Sequence, residues 1–230
     1  MKQLNVFCEG QTEQAFCDQV LRPHLFPASD GIVHTLAVGE KDHHHVYGLG
    51  RKTKYERVRK FIHNTIKQRG GRNVYFTTLF DLYALPSDFP GKAVNVRDVV
   101  NPTPYVLALQ QALEDDIGYH RFIAHLQLYE YETMLFTDPD AFAVAFEDCE
   151  VEIGQLKVIV SSEHSIEHIN DGRETAPSKR IIGVFPEYAG WTTTAGPDIA
   201  EFIGVAKIRA ACPHFDRWLV RLESIPWEMA

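Results

Sequence analysis

The sequence predicts an α/β protein: a mainly parallel four-stranded sheet with flanking helices, followed by a mostly helical C-terminal extension. Three observations carry this reading. Short apolar runs rich in β-branched and aromatic residues alternate with stretches at helical spacing up to Phe136. Past Phe136 the strand signal fades and helical stripes remain. Three of the four strands end on acids, at Glu9, at Asp81 and at Glu130 and Glu132, where an open parallel sheet places its ligands.

Taken in order, Leu4–Cys8 is almost wholly apolar, the mark of a strand buried on both faces. Thr12–Arg22 follows as a helix, with Phe16/Val20 and Cys17/Leu21 four residues apart, ending near Pro23. Ile32–Val38 is the second strand, and "GEKDHHHVYGLGRKTK" is polar and loop-like. Lys54–Gln68 is an amphipathic helix through Tyr55, Val58, Ile62, Thr65 and Ile66. Val74–Phe80 is the third strand, ending on Asp81, and "ALPSDFPG" is a loop. Thr103 caps a helix with Pro104 in its first turn, and Phe122–Leu128 is the fourth strand, delivering Glu130 and Glu132. Asp138-Pro139 starts a short helix, "SSEHSIEHINDGRETAPSKRI" is irregular and polar, and Asp198–Ala211 and His214–Glu223 close the chain as helices. The expected division is an α/β core over 1–136 and a helical extension packed on it over 137–230.

Composition excludes several classes. The apolar and charged fractions are those of a globular chain. No apolar run is long enough to span a bilayer, and "MKQLNVFCEG" is strand-like and lacks the long apolar core expected of a signal peptide. Cys8, Cys17, Cys149 and Cys212 have neither paired metal spacing nor a disulfide framework, so a reduced, cytoplasmic protein is expected. The net charge of −8 argues against a surface coated for nonspecific nucleic-acid binding. The average hides an asymmetry: Arg51 to Arg72 holds nine basic residues against Glu56 alone, a surplus of +8 that leaves −16 elsewhere. That segment, with Arg51, Lys52, Lys54 and Arg57 at its head, either seats a phosphate backbone or is a solvated helix face paired with the acidic remainder.

The acids at the strand ends carry the chemistry. Gathered carboxylates repel unless a cation neutralises them, a base pairs with them or some hold protons. Hard oxygen donors suit Mg²⁺ or Mn²⁺. Each acid also has an ordinary explanation: Glu13, beside the cap candidate Thr12, favours a helix dipole, Asp81 caps a turn, and Glu130 and Glu132 are exposed at a strand end. Convergence from three strand ends favours the metal. Elsewhere, His43, His44 and His45 belong to a polar loop rather than one ion. Ser178, Lys179 and Arg180 form either a phosphate clamp over the acidic site or a helix start with solvated charges. Cys212-Pro213-His214 is better read as a buried thiol before a helix start than as a catalytic pair. No Walker-type loop is present.

A strand ending in "EGQTE" and a later one ending in "FD" resemble the TOPRIM (Rossmann-like) fold of topoisomerases, primases and OLD-type nucleases. "FDLYALPSDFPG", "LYEYETMLFTDP", "INDGRETAPSKRI" and "CPHFDRWLVRL" together resemble the bacterial domain-of-unknown-function family 4276. The resemblance implies Glu9 as the principal acid, Gly10 as the residue of the tight turn, and Glu13 and Asp81 as further metal ligands. Tyr83 stands where the TOPRIM pattern has a second aspartate, a departure from a full two-metal site that leaves Glu130, Glu132 and Asp88 as the candidates for the missing carboxylate. The expected activity is therefore Mg²⁺- or Mn²⁺-dependent hydrolysis of DNA or RNA in a bacterial defence-type system, with a separate ATPase partner by analogy. Two other readings stand beside it: a non-catalytic module binding nucleic acid or a partner, and a nucleotide-binding phosphotransferase.

Overall fold

The computed structural model describes residues 1–38, 40–42, 45–47, 54–83, 85–96, 98, 101–169 and 175–228. The chain enters as β1 (Lys2–Cys8), then a helical rod of α1 (Gln11–Phe16), a π-helical turn (Cys17–Leu21) and α2 (Arg22–Leu25), then β2 (Gly31–Ala37). A small antiparallel hairpin, β3 (Glu40–Asp42) and β4 (His45–Tyr47), precedes α3 (Tyr55–Arg69), β5 (Val74–Asp81) and α4 (Thr103–Ile117). Two short strands follow, β6 (Phe122–Ile123) and β7 (Leu126–Gln127). The C-terminal part holds 3-10 turns at Tyr131–Thr137 and Pro139–Val144, α5 (Glu150–Ser161) and a third 3-10 turn at Ile166–His168. It ends with α6 (Pro177–Val184), α7 (Tyr188–Ile203), α8 (Val205–Ala211) and α9 (Pro213–Glu223).

The sheet runs β2-β1-β5-β6, with β7 also on β5, and every pairing in it is parallel. This is the mainly parallel sheet with flanking helices that the strand and helix alternation predicts. Strand alternation sorts the side chains into two apolar clusters. Leu4, Val6, Cys8 and Leu79 pack with Phe16, Val20 and residues of the C-terminal helices, including Phe215, Trp218 and Leu222. Phe7, Phe76 and Phe80 pack with Val58 and Ile62 of α3 and Leu109 and Leu113 of α4. The sheet is thus covered on both faces, which is why its strands read as continuous apolar runs.

Several elements differ from expectation, each for a physical reason. The fourth strand is broken between Ile123 and Leu126. Thr77 Oγ1 donates to Ile123 O and His125 N donates to Thr78 Oγ1, so hydroxyls replace ladder bonds. On the outer edge, Ala124 N and Leu126 N donate to Glu114 Oε1 and Gln110 Oε1 of α4. The first helix passes Pro23 because Arg22 N–H reaches back five residues to Cys17 O. Proline then stands in the first turn of α2, where a missing donor costs little. The helix predicted from Thr103 is capped from further upstream: Pro102 is the cap residue and Asn101 Oδ1 accepts from Thr103 N. The loop-like stretch after β2 contains the β3–β4 hairpin. The stretch expected to be irregular contains a 3-10 turn and the start of α6. Asp198–Ala211 is divided by Gly204, whose φ of 80° no helix can hold.

Candidate functional site

Glu9 follows the last residue of β1, and Asp81 is the last residue of β5. Glu13 sits in the first turn of α1, and Gly10, not Thr12, is the cap residue of that helix. Gly10 N donates to Glu13 Oε2 at 2.8 Å, so Glu13 does the ordinary work of a helix start while remaining buried. Gly10 itself is extended (φ −147°, ψ −165°), a conformation open to any residue, so the expected tight turn does not demand glycine here. Glu130 and Glu132 are presented by the 3-10 turn after β7 rather than by a strand end. Tyr129, at φ 62°, turns the chain there.

These five acids share one neighbourhood. Burial, then repulsion from Glu9, Glu13, Glu132 and Glu130, pushes the Asp81 carboxyl well above its usual range. Burial and the nearby Glu13 do the same to Glu9. Glu132 is pushed up to about 8 by burial and then by Glu130. Burial also raises Glu13. None of the five has an ion-pair partner among the described residues.

Backbone amides hold part of the cluster in place. Asp81 N donates to Glu9 Oε1 at 2.7 Å, and Ser178 N, at the start of α6, donates to Glu130 Oε2 at 3.0 Å. Tyr188 OH donates to Glu132 Oε1 at 3.4 Å. Asp81 Oδ1 and Tyr131 OH are buried without a hydrogen-bond partner. Among the described residues, no group of three or more His, Cys, Asp or Glu side chains stands in a formed metal-holding arrangement. The donor chemistry nevertheless fits a hard divalent cation: oxygen atoms only, excess negative charge, and one buried carboxylate oxygen with nothing to bond.

The remaining candidates separate. Asp88 serves α3: its Oδ1 accepts from Tyr55 N at 3.0 Å and caps that helix. Tyr83 packs its ring on Tyr129, with centroids 5.5 Å apart. Lys54 and Arg57 are exposed at the N-terminus of α3, and the Tyr55–Asp88 bond ties that end to the loop leaving β5. Further along the basic segment, Arg59 pairs with Asp116 at 2.8 Å and Arg72 pairs with Glu228, as the solvated-face reading expects. Lys179 is exposed one residue beyond Ser178, while Arg180 pairs with Glu163 at 3.3 Å. Arg51, Lys52, His43 and His44 lie outside the described residues. Cys212 is a buried free thiol, and His214 Nε2 lies 2.9 Å from Leu126 O, a structural pair. Tyr131 and Tyr188 are site neighbours that no motif marks, although Tyr131 sits between the two acids of "YEYE".

Fold and site together define a mainly parallel α/β sheet with a cluster of carboxylates beyond its strand ends. The chain belongs to the family described as "Domain of unknown function (DUF4276)", whose model matches residues 8–223. The chain is also similar to the C-terminal region of the Burkholderia pseudomallei OLD protein, at 13% identity and a TM-score of 0.46, over 97% of this chain and 100% of that one. No curated protein matches it. No helix among the described residues is long and apolar enough to cross a membrane.

Proposed function

We propose that the chain is a Mg²⁺- or Mn²⁺-dependent phosphodiester hydrolase acting on DNA or RNA. The observation that carries this reading is Asp81 Oδ1: a buried carboxylate oxygen with no partner, among four other acids and no paired base. Such a set is unfavourable as it stands and becomes favourable around a cation. Glu9, Asp81 and Glu132 or Glu130 would hold the metal. When bound, the ion lowers the pKa of a water and neutralises charge developing on a phosphoryl oxygen.

The chain's own residues do the rest. Glu13 fixes Gly10 and so the exit from β1, while Tyr188 orients Glu132. Lys54 and Arg57, with Lys179 beside Ser178, would seat the phosphates. The four buried free cysteines suit a reducing compartment such as the cytoplasm. The OLD-type resemblance of the "EGQTE" motif adds a separate ATPase as the expected partner.

Incubation with supercoiled plasmid and with single-stranded RNA tests the proposal. Cleavage under Mn²⁺ or Mg²⁺ that is lost in Glu9→Gln and Asp81→Asn supports it. The second reading, a non-catalytic binding module, is favoured by Tyr83 in place of an acid and by the lack of a formed metal set among the described residues. Tight binding of either nucleic acid with no turnover under both ions would establish that module instead.

A further inference from the structure

A cavity of about 510 Å³ lies in the C-terminal part and shares no residue with the carboxylate cluster. One wall is a stack of aromatic rings. Phe185 lies 4.6 Å from Phe146, which in turn runs nearly parallel to Trp191, at 6.1 Å and 9°. Phe185 is buried, but Trp191 is 52% exposed. Every charged residue of the lining is an acid: Glu147 and Asp148 before α5, Glu152 in its first turn, and Glu187 before α7. None of these four acids has an ion-pair partner among the described residues, and no lysine or arginine lines the cavity.

This combination selects the chemistry of an occupant. A phosphate or a nucleic acid is repelled by the rim. A neutral apolar group would cover the indole but desolvate carboxylates without pairing them. A cation meets both surfaces, and a guanidinium suits them better than an ammonium. Its plane stacks on an indole while its N–H fork meets carboxylates side-on. Exposed Val144 (51%) and Val151 (71%) stand one position from lining residues in the chain, so apolar side chains are available close to the cavity for a partner larger than one small ligand.

We propose that this cavity is a socket for an arginine side chain presented by a protein partner. The proposal does not rest on the nuclease reading, and its test reads binding in the absence of metal. The full chain is titrated by calorimetry with a capped Gly-Arg-Gly peptide, with capped Gly-Lys-Gly, and with tetramethylammonium. Saturable binding of the arginine peptide is expected, with a Kd on the order of 1 mM for a single side chain. The lysine peptide should bind more weakly. The double variant Glu152→Gln/Glu187→Gln and, separately, Trp191→Ala should each weaken binding about tenfold. Glu187 and Trp191 are exposed and Glu152 is half-buried, and circular dichroism checks that the variants fold. Non-saturable binding, or unchanged affinity in both variants, overturns the proposal. Tighter binding of tetramethylammonium than of the arginine peptide also overturns it, in favour of a small-molecule cation site.

Discussion

The backbone N–H of Asp81 donates to Oε1 of Glu9 at 2.7 Å, so the acid that follows β1 holds the last residue of β5. One oxygen of Glu9 is therefore structural, while Asp81 Oδ1 keeps no partner. Glu9→Gln separates these roles, since an amide oxygen still accepts from Asp81 N but carries no charge. Because burial and Glu13 make ionised Glu9 unfavourable, the variant should be more stable than the wild type at pH 8 in EDTA. On the proposed reading Mn²⁺ should raise the melting temperature of the wild type but not of the variant, and cleavage should fall about a hundredfold. Thermal melts with and without Mn²⁺ check the first two outcomes. A Glu9→Gln protein that still gains stability from Mn²⁺ would remove Glu9 from the metal site.

Two buried groups should make stability depend on pH with opposite signs. Glu132 has its carboxyl raised from the usual 4.5 to about 8. Between those values the folded state holds the proton and the unfolded state does not, so stability falls as pH rises. For this group alone the loss by pH 8 and above is about 4–5 kcal/mol. His214 acts in the other direction: burial lowers it from 6.5 to about 4, so the unfolded state binds protons first and stability falls as pH drops through that window. From these two groups, metal-free stability should be nearly flat between pH 4.5 and 6.5, where the windows overlap and offset each other, and should fall on either side. Glu132→Gln should shrink the alkaline limb and uncover a rise from His214 between pH 4.5 and 6.5.

Glu9 and Asp81 are legible in the sequence because both mark where a short apolar run stops, and parallel sheets gather such positions at one edge. Glu130 and Glu132 are legible as acids but not in their presentation. The turn that aims them depends on Tyr129 at φ 62° packed on Tyr83, 46 positions earlier in the chain. The break in the fourth strand is equally non-local, since Glu114 and Gln110 of α4 take the N–H groups of Ala124 and Leu126. Trp218 Nε1 bonds Thr77 Oγ1 across 141 positions, and no spacing rule reaches that far. Local periodicity finds the elements; side-chain bonds between elements decide where they stop and what they aim.

Glu167 is one such bond-maker with a measurable effect. Buried in a 3-10 turn, its carboxylate accepts from His214 N at 3.0 and 2.8 Å and from Phe215 N at 2.9 Å, which caps α9 from outside the helix. Glu167→Ala leaves two buried N–H groups without partners and should destabilise by roughly 2–4 kcal/mol. Glu167→Gln keeps an acceptor and should cost less than half as much. Urea denaturation of the two variants gives the comparison, and equal losses would show that packing rather than capping is the role of Glu167.

Two helical glycines should respond in opposite directions to the same substitution. At Gly154, within α5, an added Cβ meets nothing within 4 Å, so Gly154→Ala should stabilise by about 0.5–1 kcal/mol through helix propensity alone. At Gly196, within α7, the same Cβ would lie 2.8 Å from the Tyr188 hydroxyl oxygen and 3.3 Å from Tyr131 Cε1. Both rings are fully buried and cannot swing clear. Gly196 also precedes Pro197, whose ring crowds a preceding Cβ in helical conformation. Gly196→Ala should therefore destabilise by about 1–3 kcal/mol despite its better propensity. The displaced hydroxyl is the one that donates to Glu132 Oε1. Because that bond holds the Glu132 carboxyl down against burial and Glu130, Gly196→Ala should extend the alkaline fall of metal-free stability to higher pH and deepen it, whereas Gly154→Ala should leave it in place. Melts of both variants across pH 6–9 decide the point, and a Gly196→Ala limb that superimposes on the wild type would show that Tyr188 does not tune Glu132.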